Sequence, residues 1–365
     1  MPYLEGHHAN STGSHRAARA ARRAVEDSRD ELAAVLGVLP EEVVFTSGGT
    51  ESDNIAIFGA RELEAASGVV VSAIEHPAVA EPAALLSASE VGVDRRGCVD
   101  VAELDAVLDR MAADGQRVGV VSIMTVNNEV GSIQPIAAIA ESVRERAPAA
   151  VLHTDAVQAI AWIDLRPLAA VVDSISLSAH KFGGPKGVGA LTWRSGAELV
   201  PRQRGGGQER ERRSGTHNVA GIVGMTVAAK TTDDRRDDTV ERVGRLRDRL
   251  VDGLLSTVPG AVETGVRDAQ RAHKIAGNAH VCIPGIEAEA LLFLIDEADI
   301  AASAGSSCAS GAQEQSPVLT AMGVDESLGR GALRLSLGWS TADGDVDHAL
   351  AVIPAAVERL RATGS

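Results

Sequence analysis

Ser178-Ala179-His180-Lys181-Phe182-Gly183-Gly184-Pro185-Lys186-Gly187-Val188-Gly189 is the stretch that decides how this chain folds and what its fold is for. A strand-like run, Asp173 to Leu177, leads into it. A histidine stands beside Lys181, and a glycine-rich turn follows. A lysine held rigidly at the end of a strand is placed to form a Schiff base with a carbonyl cofactor. Lysine is otherwise scarce here: Lys186, Lys230 and Lys274 are the only others. A solvated lysine capping a strand is the plainer reading of this stretch alone, so its surroundings must decide.

Working outward, apolar strand-like runs recur at Glu42 to Phe45, Val69 to Ile74, Val118 to Met124, Val151 to Thr154, Ser174 to Leu177 and Val188 to Trp193. Helical periodicity lies between several of them, as in Ala137 to Arg146, and Arg16 to Leu36 reads as a helix stopped by Gly37. Continuous apolar strands alternating with helices predict an α/β domain with a mostly parallel sheet covered on both faces. The charged run Asp233-Asp234-Arg235-Arg236-Asp237-Asp238 breaks this pattern ahead of an amphipathic helix carrying Val240, Val243, Leu246, Leu250 and Leu254. The expected division is an arm over residues 1–9, a large domain over 10–236 and a smaller α+β domain over 237–365. Strands at His280 to Ile283 and Ala332 to Leu337, with helices at Ala288 to Ile295 and Val346 to Leu360, belong to the smaller domain.

The chain's 365 residues exceed one ordinary core, and a 45% hydrophobic content with only 2% aromatics calls for cores of Ala, Val, Leu and Ile. A net charge of −15 argues against nonspecific nucleic-acid or anionic-membrane binding. No apolar run reaches the length of a membrane span, and the expected location is the cytoplasm. Cys98, Cys282 and Cys308 have neither disulfide-framework nor metal-site spacing, so no metal is expected.

Several strand ends carry chemistry. Phe45-Thr46-Ser47-Gly48-Gly49-Thr50 is a strand, a glycine turn and a helix start, whose amides and Thr50 hydroxyl suit a phosphate. An ordinary capped helix reads the same way in isolation. His76, after Glu75, can stack on a planar ring, and Asn127-Asn128-Glu129 supplies amides after another strand. Asp155 ends a further strand, where it can keep a pyridine nitrogen protonated, with Gln158 about one helical turn on. A helix-capping aspartate is an equal reading without context. In open α/β sheets, however, ligands sit at the carboxyl ends of strands. Five ends carrying Thr50, His76, Asn128, Asp155 and Lys181 suit one crevice.

These residues resemble the NifS/IscS-type cysteine desulfurases, pyridoxal-phosphate enzymes of the class V aminotransferase group. The resemblance runs from about Asn10 onward. It includes Thr46 to Asn54, Glu75-His76, Asn127 to Gly131, Asp155 with Gln158, Ser178 to Lys181, Gly205 to Arg210, Arg213-Ser214-Gly215-Thr216 and Ser303 to Gly311. It implies an aspartate aminotransferase-like fold, type I of the pyridoxal-phosphate enzymes. It also implies pyridoxal 5'-phosphate on Lys181, with Asp155 at the ring nitrogen, Gln158 at the phenolate oxygen and His76 stacked on the ring. Gly49, Thr50, Ser178 and His180 hold the phosphate in this pattern, with Thr216 arriving from the neighbouring subunit of a homodimer. Asn128 and Arg334 match positions that bind the substrate carboxylate, a role suited to a bidentate guanidinium.

Cys308 stands in a loop of small residues, Ser303 to Gly311 within about 303–316, suited to a persulfide carrier that visits the cofactor and then an acceptor. Cys282 reads as inert core, and Cys98 as a weaker competitor. The implied reaction takes sulfur from L-cysteine, giving L-alanine and a persulfide on Cys308. The acceptor is left open: an iron–sulfur scaffold, a thiolation enzyme, a DNA-modification system or a natural-product pathway. Selenocysteine lyase and other class V aminotransferase-like enzymes share Lys181. The family's opening Tyr-Leu-Asp-x-x-Ala-Thr-Thr element is absent before Asn10, through a misassigned start or a real shortening. A real shortening implies a catalytically impaired scaffold protein. Two further departures are Glu211, where a glycine is common, and Trp339-Ser340.

Overall fold

The computed structural model describes residues 2–6, 8–61, 67–265, 273–305 and 315–363. The chain forms two compact units. The first holds Met1–Val91, Val101–Thr125 and Pro135–Arg236; the second holds Gly92–Asp100, Val126–Gln134 and Asp237–Ser365.

In the first unit, seven strands form one sheet. They are β1 (Val43–Thr46), β2 (Gly68–Ser72), β3 (Ser89–Val91), β4 (Val118–Ser122), β5 (Val151–Asp155), β6 (Ser174–Ser178) and β7 (Gly189–Trp193), in the order β1-β7-β6-β5-β4-β2-β3. Strands β2 to β6 pair in parallel, and β7 runs antiparallel to both β6 and β1. β1 therefore points the same way as β6, and the carboxyl ends of β1, β2, β4, β5 and β6 share one edge. Every residue of β1, β5, β6 and β7 is buried, the mark of a sheet covered on both faces. Val69, Val71, Val120, Leu191 and Trp193 pack with Ile55 and Ile57 of the helix Gly49–Arg61. The helix Arg16–Leu36 ends as expected at Gly37, whose φ of 71° suits a residue without Cβ.

The charged run holds the boundary between Arg236 and Asp237 yet does not interrupt the helix. It lies inside a 39-residue helix, Val219–Thr257. Acid and base three residues apart share one helix face, so Arg236 Nη1 pairs with Asp233 Oδ1 at 2.8 Å, and Asp233 Oδ2 meets Arg166 Nη1 at 3.2 Å. Arg236 also donates Nε to the Ile160 carbonyl at 3.1 Å. Its opposite charges compensate one another, which is why a run that looks like a breaker continues the helix.

The second unit carries a small antiparallel sheet, β8 (Val262–Glu263), β9 (Asn278–Cys282) and β10 (Ala332–Ser336), ordered β10-β9-β8. Helices Ala288–Asp296 and Asp343–Thr363 belong to it. Among the described residues, no helix is long and apolar enough to cross a membrane.

Candidate active site

The shared carboxyl edge of the first unit gathers the expected cofactor residues. After β1 the chain turns through Ser47-Gly48 and enters the helix at Gly49. A Cβ on Gly49 would lie 2.7 Å from Val157 Cγ2 and 3.6 Å from Ser178 Cβ, so glycine lets this turn close against the ends of β5 and β6. A Cβ on Gly189 would sit 2.5 Å from the Leu177 carbonyl oxygen and 2.7 Å from Gly48 Cα. Thr50 is exposed at the helix start, where free amides favour an anion. Ser178 closes β6, and His180 and Lys181 follow on the 3-10 turn Ala179–Phe182, both exposed. Lys181 is near enough for its charge to act on both Asp155 and His76. Gln158 is half-buried in the turn after Asp155.

Behind this edge Asp155 is joined by two buried acids, Asp53 and Glu75, to which the sequence reading gave no role. Burial pushes the Asp155 carboxyl up, against the opposing pull of the Val157 N–H, 2.8 Å from Oδ1, and of Lys181. Asp53 is raised well above the usual range by burial and by Asp155. Glu75 is pushed up to about 8 by burial, although Ser72 Oγ at 2.5 Å and the Met124 N–H at 2.8 Å donate to its Oε1. Asp53 Oδ1 and Glu75 Oε2 have no hydrogen-bond partner among the described residues. His153 lies between Ser122 Oγ (2.8 Å) and Ser176 Oγ (2.9 Å) and is pushed down to about 3 by burial. It is therefore neutral, and its 3.7 Å approach to Asp53 is not an ion pair. His76 is lowered by burial and by Lys181, leaving a neutral ring suited to stacking.

Asn128 and Arg334 meet in the second unit, where Arg334 Nη1 donates to the Asn128 carbonyl at 3.1 Å. Asn127, by contrast, is structural: its Oδ1 accepts from the N–H groups of Glu129 and Val130, both at 2.9 Å. The backbones of Arg334 and Ser303 exchange hydrogen bonds at 2.8 and 3.1 Å. Glu129, another residue sequence reasoning passed over, accepts from Ser316 Oγ at 2.6 Å and is pushed up to about 7 by burial.

The profile of the aminotransferase class-V family matches residues 1–349. The chain belongs to this family. It is 41% identical to an IscS-like cysteine desulfurase of Mycobacterium tuberculosis over 363 residues, covering 96% of this chain and 90% of that one. It is 40% identical to a cysteine desulfurase of Gluconacetobacter diazotrophicus, covering 99% and 89%. A solved NifS-like protein superposes with a TM-score of 0.88 at 34% identity, covering 98% of this chain and 94% of that one. The fold is therefore that of the class-V members of the type I pyridoxal-phosphate enzymes, as the sequence predicts.

The class-V site residues present here fit that family's cofactor. The glycine turn has no room for a Cβ at Gly49, which would crowd Val157 and Ser178, and the helix-start amides and the exposed Thr50 beside it suit a phosphate. Asp155 is a buried acid burdened by its surroundings, which a cationic ring nitrogen relieves. Of the thiols, Cys98 is half-buried and pushed up to about 11 by burial and Asp94, and Cys282 is buried in β9 and pushed up to about 12. Neither readily becomes the nucleophilic thiolate. Cys308 lies outside the described residues. Thr216 is exposed beyond the loop Gln208–Glu211, whose residue Glu211 has φ 66°. The glycine common at that position has a conformational reason.

Proposed function

We propose that this chain is a cytoplasmic, homodimeric cysteine desulfurase that uses pyridoxal 5'-phosphate to take sulfur from L-cysteine and pass it to an acceptor protein. The convergence of Lys181, His76 and Asp155 beside the glycine turn carries this reading. Gly49, Thr50, Ser178 and His180 would hold the cofactor phosphate, with Thr216 of the partner subunit. His76 would stack on the ring, Gln158 would meet its phenolate oxygen, and Asp155 would keep its nitrogen protonated. Bound there, the cofactor supplies an electron sink for the substrate's carbon skeleton. Lys181 would hold it and, as a free amine, would move the Cα proton. Asn128 and Arg334 bind the substrate carboxylate. The Cys308 thiolate attacks the substrate sulfur, and the carbon–sulfur bond breaks. Sulfur stays on Cys308 as a persulfide, and the carbon skeleton, reprotonated, leaves as L-alanine.

Two variants test this. Lys181→Ala should stay colourless after incubation with pyridoxal phosphate and form no alanine. Cys308→Ser should keep the cofactor's visible absorbance yet release no sulfide from L-cysteine with a thiol reductant. Undiminished sulfide release by Cys308→Ser would sink the persulfide assignment.

A further inference from the structure

Three consecutive non-glycine residues, Glu209, Arg210 and Glu211, have φ of 48°, 56° and 66°. A left-handed run of this kind persists only where its surroundings impose it. Glu209 turns inward and is 5% exposed. Arg29 donates Nη1 to its Oε2 and Nη2 to its Oε1, both at 2.9 Å. The Phe45 N–H also donates to Oε2 at 2.9 Å. His217 Nε2 lies 2.6 Å from Oε1, and its Nδ1 lies 2.9 Å from Ser11 Oγ. A second fastening follows four residues later. Arg213 donates Nε to Glu51 Oε1 at 2.8 Å and Nη2 to Oε2 at 3.2 Å. The same Oε2 accepts from the Ser47 N–H at 2.5 Å.

Phe45, Ser47 and Glu51 belong to the strand, turn and helix start that cradle the phosphate, whereas His217 and Arg213 flank Thr216. The loop is thus tied to the cradle directly through Glu209 and Arg213, and His217, on the other side of Thr216, is tied to it through Glu209. Arg213 has an electrostatic duty as well. It offsets the Glu51 carboxylate, which otherwise competes with a phosphate for the helix N-terminus.

We propose that Arg213 and Glu209 are positioning residues that hold the Ser47–Thr50 turn and the Thr216 loop as one hydrogen-bonded unit, so that each phosphate site in a dimer is shaped by the Arg213–Glu51 pairs of both chains. The proposal rests on the reading that Thr216 reaches the partner's phosphate.

The test uses dually tagged heterodimers in which one chain carries Lys181→Ala, so that only the other site holds pyridoxal phosphate covalently. Cofactor dissociation is followed by visible absorbance, and the phosphate environment by its 31P chemical shift. Arg213→Met should weaken binding by roughly tenfold, about one decade of Kd, on whichever chain it is placed. It should also move the 31P signal in both cases, and Arg213→Lys should restore part of the loss. Glu209→Gln on the Lys181→Ala chain should move the same signal. If Arg213→Met on that chain changes nothing while Thr216→Val there shifts both readouts, the positioning role is overturned and the reading of Thr216 stands. If Thr216→Val there also changes nothing, both fall. Should Arg213→Met separate the subunits, Arg213→Lys carries the same comparison.

Discussion

Two sets of buried carboxylates in the first unit are treated in opposite ways by their neighbours. At the cofactor edge, Asp155, Asp53 and Glu75 are short of donors, and burial pushes all three upward, Glu75 to about 8. Beside the Thr216 loop, Glu209 is just as enclosed, yet His217, Arg29 and the Phe45 N–H outweigh burial and hold it down at about 2. Donor supply separates the two, with depth common to both. An under-satisfied acid suits the cationic ring of the proposed cofactor, and a fastener saturates its acid.

The largest effect expected from this contrast is on stability. Arg29→Met removes the bidentate cationic partner of buried Glu209 and should cost about 3–5 kcal/mol in urea unfolding, as broken buried pairs do. In the parent chain, Glu209's depressed carboxyl contributes stability that is present above its ordinary 4.5 and lost as pH falls toward 2. Arg29→Met should shrink that acid limb, with His217 and the Phe45 N–H keeping part of it. An unchanged unfolding midpoint would show that the pair holds nothing.

Glu75 gives the opposite sign. Because its folded value is raised, its neutral form is free of penalty below about 4.5, and stability drains as pH climbs through 8. Glu75→Gln keeps an oxygen for the Met124 N–H and cannot ionise. It should therefore gain about 1–3 kcal/mol over the parent chain at pH 8 to 9 and nothing at pH 4. Parallel pH profiles for the two proteins would contradict the raised acid.

The smallest effect concerns Glu211. Glycine adopts φ 66° without the Cβ clash that costs other residues about 1 kcal/mol, so Glu211→Gly should raise stability by about that much. A lower thermal midpoint would mean that the Glu211 side chain makes a contact outweighing its strain.

The strands β1, β2, β4, β5, β6 and β7 were readable because full burial leaves uninterrupted apolar runs. The short β3 and β8 were not, since three or two residues carry no periodicity. The helix through Asp233 to Asp238 was misread because charge density looks like a breaker until the partner Arg166, 67 residues away, is in place. Gly92–Asp100 and Val126–Gln134 fold with the second unit without any shift in composition to signal it. Around the candidate site, Asp155, Lys181, His76 and Thr50 stood out because each lies at or just beyond the carboxyl end of a recognisable strand. Asp53, His153, Arg29 and Glu209 did not, because a buried polar residue looks like a surface one in a linear chain.

The sequence by itself determined the α/β fold, the carboxyl edge where the candidate residues gather and the residue types on it, because strand periodicity and glycine turns act over a few neighbours. Only the tertiary structure decided the charge states behind that edge and the fastening of the Thr216 loop. Those depend on burial and on partners such as Arg29 and Glu209, 180 residues apart, which meet only when the chain is folded.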